Sequence, residues 1–158
     1  MLDGSLRMTT MVAMNVPDDG KSLPDFSRLM MLLVEDDLDS RQFLCEVLRA
    51  CGATVFDTDN VAKAKEIVSS TKLDLIVTDL ALPGEDGAAF LTWLRAPGRD
   101  KNRAVPVIAV TGFYQTYPPA EVRGWAAYIQ KPVGIEEFVR TIAAILKIPM
   151  DHPEGTTW

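Results

Sequence analysis

Four short apolar runs in this chain each lead into a residue able to take part in phosphoryl or proton chemistry. Met30–Val34 runs into Glu35-Asp36-Asp37, Leu73–Thr78 into Asp79, Val105–Val110 into Thr111, and Ala126–Ile129 into Lys131. Clustered carboxylates repel one another, so they take up protons or draw in a cation. Oxygen ligands that leave room for water suit Mg²⁺, which takes one or two protein carboxylates and keeps several waters. A carboxylate nucleophile at Asp79, a positive charge at Lys131 and a hydroxyl donor at Thr111 complete a set. Positioning and charge stabilisation around a nucleophile are what phosphoryl transfer requires.

Each residue alone has a plainer reading. An Asp after a strand is ordinarily a turn or a helix N-cap, and Asp37 or Asp39 can do just that. Lys131 alone would be a solvated charge, and Thr111-Gly112 a strand-ending turn. The agreement of four strand ends is what favours a common site.

The elements that would bring those ends together are legible. Short apolar runs, with Thr54–Asp57 as the remaining one, alternate with amphipathic stretches. The first, third and fourth runs are almost continuously apolar, as in parallel strands covered on both faces. Phe43, Leu44, Val47, Leu48 and Cys51 form one helical stripe, with Gly52 placed to end the helix. Asp59-Asn60 caps a second helix carrying Val61, Ala64 and Val68. Phe90, Leu91 and Leu94 suit a third, ended by Pro97-Gly98, and Ile135, Phe138, Ile142 and Ile145 define the last. This alternation predicts an α/β fold: one doubly wound, flavodoxin-like domain with a five-stranded parallel sheet in the order 2-1-3-4-5. Its strands' carboxyl ends form the crevice where ligands bind in such sheets.

The expected domain runs over residues 29–148. Residues 1–28 carry no period and read as a flexible leader, and 149–158 as a polar tail. The net charge of −6 opposes direct binding to nucleic acid or an anionic membrane. No apolar stretch reaches the roughly 18 residues that span a bilayer, and the N-terminus lacks a signal-peptide pattern. Cys45 and Cys51 lie six apart on one helix, roughly 9 Å, too far to pair. Two buried thiols in a reducing, cytoplasmic setting are the expectation. His152, the lone histidine, falls in the tail and supports neither a kinase nor a zinc site.

Taken in order, the blocks Leu32-Leu33-Val34-Glu35-Asp36-Asp37, Asp74 to Gly87 around Thr78-Asp79-Leu80-Ala81-Leu82-Pro83-Gly84, Val110-Thr111-Gly112 and Tyr128-Ile129-Gln130-Lys131-Pro132 resemble response-regulator receiver domains of two-component signalling. The resemblance covers about residues 29–147. It implies that Asp79 accepts a phosphoryl group from a histidine on a sensor kinase or phosphotransfer protein, and that the domain then signals to a downstream effector by protein contact. It implies that Asp36, Asp79 and the backbone carbonyl of Ala81 hold Mg²⁺, with Glu35 assisting through water. Lys131 and Thr111 would bind the phosphoryl group, and Tyr128 matches an aromatic switch position. The Lys131-Pro132 bond matches one that is usually cis in the family, and X-Pro is the only type where that is cheap. Pro83 and Gly87 read as loop-shaping residues. Such a domain is a phosphoacceptor rather than an enzyme, assisting only its own phosphorylation and dephosphorylation.

The chain departs from the family between Thr111 and Lys131, a segment somewhat shorter than usual. Pro118 and Pro119 leave only about Ala120–Gly124 for a fourth helix. Phe113, Tyr114, Tyr117 and Trp125 there either pack down or form a partner surface. The positions that tune dephosphorylation in the family are Ala81 and Phe113, neither able to orient water, so phospho-Asp79 is expected to be long-lived. Self-association remains open, as does the choice between a stand-alone receiver and one cut from a larger protein.

Two other classes compete. A phosphorylation-independent adapter of the same fold would have no use for the acid pair, Asp79, Thr111 and Lys131. Phosphatases of the haloacid dehalogenase type need a second Asp two residues past the nucleophile, where this chain has Ala81. A phosphate-binding Gly-x-x-x-x-Gly-Lys-Ser/Thr loop is absent.

Overall fold

The computed structural model describes residues 22–98, 101–112 and 124–150. Five strands, β1 (Met30–Val34), β2 (Thr54–Thr58), β3 (Leu75–Asp79), β4 (Val107–Thr111) and β5 (Ala127–Gln130), pair in parallel in the order β2-β1-β3-β4-β5. Four helices are described: α1 (Leu38–Ala50), α2 (Val61–Ser70), α3 (Gly87–Arg95) and α4 (Ile135–Leu146). The expected α/β fold and strand order are both present.

Period-two alternation splits the strands between two cores. Met31, Leu33, Leu75, Val77, Ile108 and Val110 face α1 and α4, while Leu32, Val34, Ile76 and Val107 face α2 and α3. β3 and β4 are buried at every position, which is why their sequences are almost unbroken apolar runs. β3 and β4 begin two residues later than expected. At β4 the reason is Pro106, which has no N–H for the ladder and offers only its carbonyl, to Ile76 N at 3.0 Å.

The helices start where short polar side chains can cap them. Asp37 accepts from Ser40 N at 2.9 Å, Asn60 from Lys63 N at 2.8 Å, and Asp86 from Ala89 N at 2.8 Å. Asp37 thus takes the capping role that leaves Glu35 and Asp36 for the strand end. On α1 the buried stripe is Leu44, Cys45, Val47 and Leu48. Phe43 is 37% exposed, so the expected stripe is shifted by one position, with Cys45 taking the inward place. Both cysteines are buried and free, and burial pushes each thiol up to about 12.

Order extends further upstream than the expected boundary at Leu29. Phe26 is fully buried in the α1/α4 core, and its N–H donates to the Cys51 carbonyl at 2.7 Å. The chain passes so close to Gly52, at φ +97°, that a Cβ there would sit 3.2 Å from Ser27 N. Leu23 and Met150 pack against the same core, so the stretch 22–28 and the start of the expected tail belong to the packed unit. Residues 1–21, the tail beyond Met150 with His152, and the segment 113–123 with Phe113, Tyr114, Tyr117 and Ala120 lie outside the described residues. No described helix is long and apolar enough to cross a membrane.

Candidate functional site

Register brings the charged strand ends level. Val34 pairs with Thr78, so the next residues, Glu35 and Asp79, leave the sheet side by side. Thr111 pairs with Gln130, and Lys131 N donates to the Thr111 carbonyl at 2.9 Å, which sets the lysine one step beyond the sheet. The Lys131–Pro132 peptide bond is cis.

The Lys131 ammonium lies 2.7 Å from Asp79 Oδ2 and 2.7 Å from Glu35 Oε2. Ala81 N donates to the other Asp79 oxygen, Oδ1, at 2.9 Å, and Asp37 N donates to Glu35 Oε1 at 3.1 Å. Each acid therefore has one oxygen on the lysine and one on a backbone amide. Glu35 is 1% exposed and Asp79 5%, whereas Asp36 is exposed. Carboxylate oxygens of Glu35, Asp36 and Asp79 can all lie within 4.8 Å of one another. Three acids around one ammonium leave a net negative site.

Burial holds the Glu35 carboxyl above its usual range, opposed by the Lys131 hydrogen bond and reinforced by the Asp79 charge. Burial acts on Lys131 in the opposite sense, but its hydrogen bonds to Asp79 and Glu35 outweigh this and hold the ammonium's pKa above the ordinary value. The lysine accordingly stays charged across the physiological range.

Thr111 is fully buried at the end of β4. Tyr128 is half-buried on β5, in register with Ala109. The described residues thus bring together Glu35, Asp36, Asp79 and Lys131 directly, with Ala81 attached through its amide and Thr111 through the backbone of Lys131.

One contributor escapes sequence reading, and a second has a role larger than the one expected. Arg41 on α1 donates through Nη1 to the Glu35 carbonyl at 2.9 Å and pairs through Nε with Asp57 at 3.3 Å, tying the acidic turn to β2. An isolated arginine in a helix carries no signal for this. Gly87 opens α3 so close to the end of β3 that a Cβ would lie 2.4 Å from the Asp79 carbonyl oxygen. Its value is close approach, beyond the loop shaping expected of it.

An open, doubly wound parallel sheet that gathers an acidic pair, a further aspartate and a lysine at its carboxyl-terminal strand ends is the architecture of a receiver-type domain. The chain matches the response regulator receiver domain family over residues 31–143 and belongs to that family. Receiver domains are signalling domains of two-component systems. Among similar proteins is the polar-differentiation response regulator DivK of Brucella anthropi, 31% identical over 118 residues that cover 73% of this chain and 94% of that protein. Among solved structures, a receiver domain from Methylobacillus flagellatus aligns with a TM-score of 0.67 at 25% identity, covering 75% of this chain and 99% of that one. The receiver domain of a sensor histidine kinase from Pseudomonas aeruginosa, solved with magnesium coordinated in its active-site cleft, gives 0.68 at 26% identity, covering 75% and 98%.

Proposed function

We propose that Asp79 is the phosphoryl acceptor of this receiver domain, taking the group from a phosphohistidine on a sensor kinase or a histidine phosphotransfer protein. The observation that carries the reading is the convergence of Glu35, Asp79 and Lys131 from three separate strand ends, with Lys131 Nζ 2.7 Å from both acids. An Asp79 carboxylate oxygen forms the new P–O bond as the P–N bond of the donor breaks, and the donor histidine takes up a proton. Lys131, already beside Asp79, offsets the negative charge on the transferred group, and the Ala81 amide holds the carboxylate in place. Thr111 supplies a hydroxyl donor, and Tyr128 adjusts its ring to the new charge state.

The acidic cluster fits a hard divalent cation, because its donors are all oxygens and its charge exceeds what Lys131 neutralises. Asp36, Asp79 and the backbone carbonyl of Ala81 would hold Mg²⁺, with Glu35 assisting through water. Bound there, it would supply charge neutralisation for the phosphoryl oxygens. The magnesium reported for the Pseudomonas receiver supports this reading.

The signalling unit we assign is residues 29–148 together with the packed stretch 22–28, acting in the cytoplasm by contact with an effector protein and performing no turnover of its own. Incubation with Mg²⁺ and acetyl phosphate tests it. Intact-protein mass spectrometry should show one phosphoryl adduct on the wild type and none on Asp79→Asn. Steady release of product from phosphomonoesters would favour a phosphatase, and an unlabelled wild type would favour an adapter.

A further inference from the structure

The loop Leu80–Asp86 carries the Ala81 amide that holds Asp79, and it is fastened at both ends. Gly87 N donates to the Leu80 carbonyl at 3.0 Å, and the bare Gly87 Cα presses against the Asp79 carbonyl. Leu82 is buried in the α2/α3 core. Pro83 and Gly84 are exposed, and Gly84 has a φ of +81° with no atom near its missing Cβ. Packing alone therefore leaves the tip of the loop unsupported.

Its support comes from another element. Lys65 on α2 reaches the loop and places Nζ 3.1 Å and 2.9 Å from the two carboxylate oxygens of Glu85. The same ammonium sits 5.2 Å from the ring centroid of Trp93 on α3. Trp93 in turn stacks on Phe90, which is fully buried. One lysine thus joins α2, the loop and α3. Lys65 and Glu85 are partly exposed, at 27% and 39%, so the ion pair adds little to global stability. Its effect falls on where the loop sits, because both oxygens of Glu85 are engaged and a cation over an aromatic face has a preferred position.

We propose that Lys65 is a positioning residue for phosphoryl transfer: through Glu85 and Trp93 it holds the Leu80–Asp86 loop so that the Ala81 backbone meets Asp79. The proposal rests on the reading of Asp79 as acceptor, and it concerns a residue remote from the reacting atoms. Lys65→Met keeps the long stem and deletes the charge. Lys65→Arg keeps both the paired contact with a carboxylate and the stacking on an aromatic ring.

The test measures the labelling rate with acetyl phosphate and Mg²⁺, together with amide hydrogen exchange across residues 80–86. Lys65→Met should label about tenfold more slowly, within what a sub-ångström misplacement costs. Its exchange in the loop should rise, while its urea midpoint stays near the wild type. Lys65→Arg should recover to within about twofold of the wild-type rate. Wild-type labelling and exchange in Lys65→Met would overturn the proposal, as would a Lys65→Arg as slow as Lys65→Met. If the wild type and Asp79→Asn are equally unlabelled, the acceptor reading fails. Hydrogen exchange then decides the structural part by itself: unchanged loop exchange in Lys65→Met overturns the hold of Lys65 on the loop, and raised exchange upholds that hold while its role in phosphoryl transfer falls with the acceptor reading.

Discussion

The two ends of the sheet each bury a polar network, and the networks are built on opposite plans. At the amino ends of β3 and β4, Asn102 is 1% exposed and fully engaged with backbone. Its Oδ1 accepts from Leu73 N at 2.8 Å, and its Nδ2 donates to the carbonyls of Val68 at 2.8 Å and Thr71 at 2.6 Å. That network is neutral and closed. At the carboxyl ends, Glu35 and Asp79 share one ammonium, Asp36 clusters beside them, and the three acids remain short of positive charge. A buried amide with its main partners in place stabilises the fold, whereas a buried excess of like charge creates a demand for something from outside. Glu35 and Asp79 are as buried as Asn102, so for these side chains charge balance, rather than burial, separates scaffold from site.

The sharpest way to break this contrast is to delete the closed network. Asn102→Leu should lower the unfolding free energy by about 3 kcal/mol, since three backbone groups lose their partner together. The labelling rate of the folded fraction should stay at the wild-type value. Urea titration beside the mass assay reads both, and a folded but unlabelled variant would erase the distinction.

Gly87→Ala tests the contact between site and scaffold. A methyl group cannot occupy a place 2.4 Å from a carbonyl oxygen, so β3 or α3 must shift, at about 2 kcal/mol. Both stability and labelling should fall, unlike the result at Asn102.

Smaller effects sharpen the open end. At about ten times its Kd, Mg²⁺ should stabilise the wild type by about 1.4 kcal/mol in thermal melts. Asp36→Asn should lose that gain and melt slightly higher than the wild type in metal-free buffer, because one repelling charge is gone. An Asp36→Asn that responds fully to Mg²⁺ would remove Asp36 from the cation site.

The smallest effect at neutral pH lies in the core. Burial raises both thiols from the ordinary 9.0 to about 12. A raised folded-state value means a contribution fully present below about pH 9 and lost as the pH climbs towards 12. Replacing Cys45 and Cys51 with Ala should flatten the loss of stability in that window. Alkylation of the wild type at pH 8 should wait on opening of the fold.

What could be read beforehand follows the same division. Glu35, Asp79, Thr111 and Lys131 stand out because each interrupts or ends an apolar run, and a parallel sheet gathers such ends in one place. Asn102 sits between Lys101 and Arg103 in a polar turn, and its burial depends on where the end of α2 lands. Phe26 is a single aromatic in a stretch without a period, so only its contact with α1 reveals it. Phe43 and Cys45 exchanged places because a stripe set at 3.6 residues per turn leaves its edge positions undecided. Lys65 and Arg41 were invisible for a related reason: a charged residue on a helix looks the same whether it meets solvent or a loop.

The bare Cα of Gly87 also governs how displacement travels. Between most packed elements a side chain can change rotamer and absorb a small movement. At Gly87 the end of β3 meets the first turn of α3 with no side chain of its own in between, main chain on main chain. That junction behaves as a stiff strut: a shift imposed on the strand end at Asp79 is delivered to α3 nearly undamped.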